Sequence, residues 1–64
     1  MRIFIEKTNL LLERKFDGPA IDLVRELGLN KEAILIARNG KLVTHDEILS
    51  DRDEVKFLSV ISGG

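Results

Sequence analysis

Apolar and polar positions repeat with two periods along this chain, and each change of period marks an element. Over residues 1–7, Ile3 and Ile5 alternate with Arg2 and Glu6, the two-residue period of a strand whose sides meet different surroundings. Phe4 breaks the alternation, because it falls on the side of Arg2 and Glu6. Thr8-Asn9 predicts a turn. Residues 10–16 predict a returning strand, with Leu10, Leu12 and Phe16 on one side and Leu11, Glu13 and Lys15 on the other, so the pair forms a hairpin. Arg14 falls on the apolar side, where its stem can run along the core edge. Asp17-Gly18-Pro19 then opens a helix, since proline in the first turn forfeits no intrahelical amide bond. Ala20, Leu23, Val24 and Leu27 recur at helical spacing, with Asp22, Arg25 and Glu26 facing out. Gly28 is the stop. A helix this short is marginal alone, so its one apolar stripe must pack on a sheet.

Beyond the helix, Ala33-Ile34-Leu35-Ile36-Ala37 is apolar on both sides and reads as a well-buried strand. Asn39-Gly40 is a strong hairpin signal, because a type I′ turn needs positive φ at both central residues. Lys41-Leu42-Val43 pairs back as a short strand. Thr44-His45-Asp46-Glu47 has the form of a capping box ahead of Ile48-Leu49 and predicts one short helical turn. Ser50-Asp51-Arg52-Asp53 is a turn, and residues 54–61 form the last strand. One helix cannot cover both faces of a sheet, so the class is α+β with one open face. The first and last strands are the most apolar. Set parallel and central, with the hairpin strands at the edges and the main helix across one face, they give a β-grasp with a mixed sheet of four to five strands. The expected organisation is a domain over 1–61 and a flexible tail over 62–64.

This alternation also predicts a surface. In the last strand Val55, Phe57 and Ile61 share a side, while Leu58 and Val60 share the other with Glu54 and Lys56. The charged members assign Leu58 and Val60 to the open face. Phe4 belongs there by the same rule, and Leu35 joins from the third strand. Neighbouring strands lie about 4.8 Å apart, so these residues are expected to form one contiguous docking patch.

Composition narrows the chemistry. Sixty-four residues make one small domain, and without a cysteine or more than one histidine there is no disulfide, thiolate site or zinc cluster to staple it. Ten basic and eleven acidic residues interleave to a net charge of -1, which argues against nucleic-acid binding through a basic stripe. No apolar run reaches the roughly 20 residues of a membrane span, and the N-terminus does not read as a signal peptide, so the expected location is cytoplasmic. His45 has no nucleophile arranged around it and is read as a solvent-facing turn residue. Asp51, Asp53 and Glu54 lack the spacing of a calcium loop and are read as turn formers. No catalytic constellation is present.

The sequence closes on Ser62-Gly63-Gly64. With the Ala37-Arg38-Asn39-Gly40-Lys41-Leu42-Val43 hairpin, the Asp51-Arg52-Asp53-Glu54-Val55 approach to the last strand and the closing Val60-Ile61-Ser62-Gly63-Gly64, the whole chain resembles the ubiquitin-like sulfur carriers of the ThiS and MoaD families, and is nearest the ThiS type by its shortness. Two departures are Arg52, where the family usually places glycine between two acidic residues, and Ala20, where it often has a capping threonine. The resemblance implies that the Gly64 carboxylate is adenylated with ATP by a ubiquitin-activating-like enzyme. It is then converted to a thiocarboxylate that donates sulfur, in thiamin thiazole synthesis first and in molybdopterin synthesis or tRNA thiolation otherwise. It also implies a sulfur donor system, an acceptor such as thiazole synthase, no cofactor held by the chain itself, and a free monomer that is a substrate of enzymes. The physical reading agrees with this: glycines let backbone thread a channel too narrow for a Cβ. Three extended residues reach only about 10 Å, so the Phe4, Leu58 and Val60 patch must dock close to the adenylating site. Two other readings are a modifier joined through Gly64 to lysines of target proteins, and a plain binding module whose diglycine is incidental.

Overall fold

The computed structural model describes residues 1–60. In chain order the elements are strands β1 (Arg2–Ile5), β2 (Leu10–Glu13) and β3 (Gly18–Pro19), helix α1 (Ala20–Glu26), and strands β4 (Ile34–Arg38), β5 (Lys41–Val43), β6 (Ile48–Leu49) and β7 (Glu54–Ser59). Five of the strands form one mixed sheet in the order β2-β1-β7-β4-β5, and β3 and β6 form a separate two-stranded ladder. β1 and β7 run parallel, with Ile3 beside Val55 and Ile5 beside Phe57. This is the β-grasp arrangement expected from the sequence.

The helix-side core follows from the alternation. Ile3, Ile5, Ile34, Ile36, Val55 and Phe57 from the sheet pack with Ala20, Leu23 and Val24 of α1 and Leu49 of β6. Leu12 and Phe16 close one edge and Val43 the other. The expected place of Ile61 in this core lies outside the described residues. Leu35 is exposed, so β4 is covered mainly on one side rather than buried throughout. Arg14, just past β2, sends its guanidinium to Glu26 of the helix at 3.0 Å.

The helix ends as its sequence dictates. Gly28 takes φ +69°; its amide donates to the Arg25 carbonyl at 3.1 Å, and the Leu29 amide reaches back to the Val24 carbonyl at 3.0 Å. That pair of bonds is the Schellman closure. Its start differs from expectation, because Pro19 stands just outside the helix with ψ 142° and pairs as part of β3. The Ala20 and Ile21 amides donate to the carbonyls of Glu47 and His45, each at 2.8 Å. The turn over residues 44–47, closed by the Glu47 amide on the Thr44 carbonyl at 3.2 Å, thus satisfies donors that a capping side chain would otherwise take, which accounts for Ala20 in place of a capping threonine.

Those bonds also correct the expected helical turn after Thr44. The Thr44 hydroxyl bonds the Asp46 carboxylate, Glu47 pairs with Arg38 at 2.9 Å, and Ile48–Leu49 runs extended against Gly18–Pro19. With the Glu47 carboxylate drawn to Arg38 and two local carbonyls serving the helix, the capping box does not close. His45 lies in the turn, as expected, and is half-buried there, with Nε2 3.1 Å from the Lys31 carbonyl oxygen at an exposed contact. The strand ends shift as well. β1 stops at Ile5, where a 3₁₀ turn over Glu6–Thr8 ends on Asn9 at φ 52°, and β2 stops at Glu13. Asn39 and Gly40 have φ 51° and 85°, as the type I′ turn requires.

Candidate functional site

The uncovered face of the sheet can be read row by row from the strand register. One row crosses all five strands: Leu11 on β2 faces Phe4 on β1, Phe4 faces Lys56 on β7, Lys56 faces Ala37 on β4, and Ala37 faces Leu42 on β5. Two residues further along β7, Leu58 faces Leu35. In the other direction Arg2 lies beside Glu54 and opposite Glu13. Leu11 and Leu42 are 62% and 64% exposed, Leu35 and Val60 each 46%, and Phe4 and Leu58 are half-buried. Ala37 is buried on this face and stands apart from the helix-side core.

Of the four residues expected in the patch, Leu35 and Leu58 are direct cross-strand partners. Phe4 is diagonal to Leu58, with Lys56 directly beside it. Val60 follows β7, and its amide donates to the Ala33 carbonyl at 3.1 Å, which continues the β4–β7 register. Leu11 and Leu42 enlarge the surface. The signal for Leu42 was present, because a two-residue Asn39-Gly40 turn pairs Arg38 with Lys41 and therefore Ala37 with Leu42. Leu11 needed the β1–β2 register, which the 3₁₀ turn sets. Phe4, Leu11, Lys56, Arg2 and Glu54 line an open depression. A second depression, lined by Ile21, Lys31, Glu32, His45 and Asp46, offers one histidine already engaged with a carbonyl.

The end of β7 is held from both sides. The Glu6 carboxylate accepts from the Ser59 amide at 2.8 Å, while the Val60 amide bonds Ala33 on the opposite flank. Glu6 is placed for this by the 3₁₀ turn that ends β1. Ser62, Gly63 and Gly64 lie outside the described residues.

The start of β7 is held by side chains. The Asp53 carboxylate accepts from the Ser50 amide at 2.8 Å and the Asn39 side chain at 3.0 Å, and the Arg38 guanidinium stands 3.9 Å away. The Ser50 amide is the main cause holding the Asp53 carboxyl below the usual range, followed by Asn39. Asp51 accepts from the Phe16 amide at 3.0 Å and the Met1 ammonium at 3.2 Å. Those partners, in that order, depress its pKa too. Asp53 acts as the turn former the sequence suggested, whereas the Asp51 side chain ties the turn to the distant Phe16 and Met1. Arg52 needs no positive φ, so the usual glycine is dispensable in a turn held by Asp53. Among the described residues no group of His, Cys, Asp or Glu is arranged to hold a metal ion, and no helix is long and apolar enough to cross a membrane.

Comparison with known proteins agrees with this geometry. A family model described as the ThiS family matches residues 9–64. The sulfur carrier protein TtuB of Thermus thermophilus is 36% identical over 53 residues, covering 83% of this chain and 82% of that protein. With a β-grasp sheet, one covering helix and an apolar open face beside the end of β7, the chain belongs to the ThiS family of sulfur carriers, small proteins on which enzymes act and not enzymes themselves.

Proposed function

We propose that this carrier bears sulfur as a thiocarboxylate on Gly64 and meets its adenylating enzyme through the open face of the sheet. A carboxylate is a poor acyl donor until one oxygen becomes a leaving group. The Gly64 carboxylate attacks the α-phosphorus of ATP and expels pyrophosphate; a sulfur nucleophile at the oxidation level of hydrogen sulfide then displaces AMP from the acyl adenylate. The chain holds no cysteine, so no thiol of its own can carry the sulfur. The acceptor that fits a member of the ThiS family first is the thiazole-forming enzyme of thiamin synthesis, with molybdopterin synthesis and tRNA thiolation as the other acceptor classes.

The observation that carries this reading is the anchored end of β7. The four residues after Val60 span at most about 14 Å when fully extended. The body must therefore sit close to the adenylating centre, and Leu58, Leu35, Val60 and Phe4 are the apolar surface nearest that exit. The test is the intact mass of the protein after incubation with ATP, the adenylating enzyme of its organism and a sulfur source. A gain of about 16 Da, oxygen replaced by sulfur at an activated acyl group, is expected. An unchanged mass with an enzyme active on its own carrier overturns the thiocarboxylate. A ladder of lysine conjugates in cell extract without that mass gain assigns Gly64 to protein modification instead.

A further inference from the structure

The apolar row of the open face has one charge at its centre. Lys56 stands between Phe4 and Ala37, with Leu11 and Leu42 beyond them on the edge strands. Of the other charged groups on this face, Arg2 and Glu54 approach to 3.9 Å, Glu13 lies opposite Arg2 and away from Lys56, and Glu6 takes the Ser59 amide. Lys56 is exposed and forms no ion pair among the described residues. Its ammonium is therefore left to water.

A partner that covers this row removes that water. Burying a lone ammonium costs more than the surrounding apolar contact returns unless an opposite charge meets it. The four-carbon stem can lie along the apolar row while the head stays available at its centre. We propose that the protein surface docking here presents an aspartate or glutamate carboxylate to Lys56, inside an apolar contact made with Phe4, Leu11, Leu58 and Leu42. Lys56 then selects among partners, since a surface with an apolar or basic residue at that point leaves its charge unpaired or repelled. The inference rests on the reading that the adenylating enzyme docks on this face, and it adds the chemistry of the contact.

The test compares Lys56→Met, Lys56→Glu and Leu58→Asp by calorimetric titration with the adenylating enzyme of the same organism, at low and high salt. Melting curves verify that each variant is folded. Lys56→Met is expected to weaken binding about tenfold and to flatten its salt dependence, and Lys56→Glu to weaken it about a hundredfold or more. A zero-length carbodiimide is expected to link Lys56 to an aspartate or glutamate of the enzyme, located by peptide mass. Lys56→Met binding at or above wild-type strength, while Leu58→Asp still abolishes docking, overturns the carboxylate contact and leaves the docking face standing. Wild-type binding by both Leu58→Asp and Lys56→Glu overturns the docking face itself, together with the inference built on it.

Discussion

The two faces of the five-stranded sheet are made by alternate residues of the same strands, yet they meet opposite surroundings. On β7, Val55 and Phe57 are buried under α1, whereas Lys56 and Leu58 look the other way. On β4, Ile34 and Ile36 are buried while Leu35 is open. Among the described residues the helix-side face has branched and aromatic side chains packed without a buried polar residue. The open face mixes leucines and a phenylalanine with Lys56, Arg2 and Glu54. In so small a domain one covered face must supply nearly all the stability. That leaves the second face free for recognition, at the cost of an exposed apolar surface that a lone monomer gains nothing by keeping.

Phe57→Ala tests the comparison hardest. Truncating a fully buried phenylalanine costs about 3–5 kcal/mol, which is comparable to the whole stability of a chain this size at roughly 0.05–0.15 kcal/mol per residue. The expected result is loss of a cooperative thermal transition by circular dichroism, and a variant melting within a few degrees of wild type would mean that the core is not centred on Phe57.

Acid should have a smaller effect, felt at the two ends of the segment that leads into β7. The folded-state pKa values of Asp46, Asp51 and Asp53 all lie below their ordinary values, so between the folded values and the unfolded value of about 3.9 the unfolded chain binds more protons and stability rises with pH. The contribution is complete above about pH 5, declines as pH falls through the unfolded value and is gone below the folded ones. Melting midpoints taken from pH 6 down to pH 2 should fall less steeply in Asp53→Asn than in wild type. Equal slopes would show that the Ser50 and Asn39 bonds do not hold the charge.

Leu42→Ser is expected to change stability least, within about 0.5 kcal/mol, as for a surface site, while still weakening docking to the adenylating enzyme. Denaturant unfolding beside a binding titration separates the two effects. A large loss of stability would place Leu42 in the core and blur the division between faces.

Some of this was legible in the chain and some was not. The type I′ turn at Asn39-Gly40, the stop at Gly28 and the division of β7 into two faces are local consequences of φ preference and two-residue alternation, and the structure follows them. The expected helical turn after Thr44 failed for a reason no local pattern contains. Glu47 met Arg38, and the His45 and Glu47 carbonyls met the first amides of α1.

The sequence by itself determined the order of the five sheet strands and the main helix, the helix stripe, and the side of each strand that Phe57, Leu58 and Phe4 would take. Only the tertiary structure decided that Leu11 and Leu42 extend the open face, that Lys56 stands at the middle of its apolar row, and that Glu6 and Ala33 hold the end of β7. Alternation is a property of one strand and can be read along the chain. Register between strands is set by turns and by contacts between residues far apart in sequence, such as Glu6 with Ser59, and exists only once the sheet has assembled.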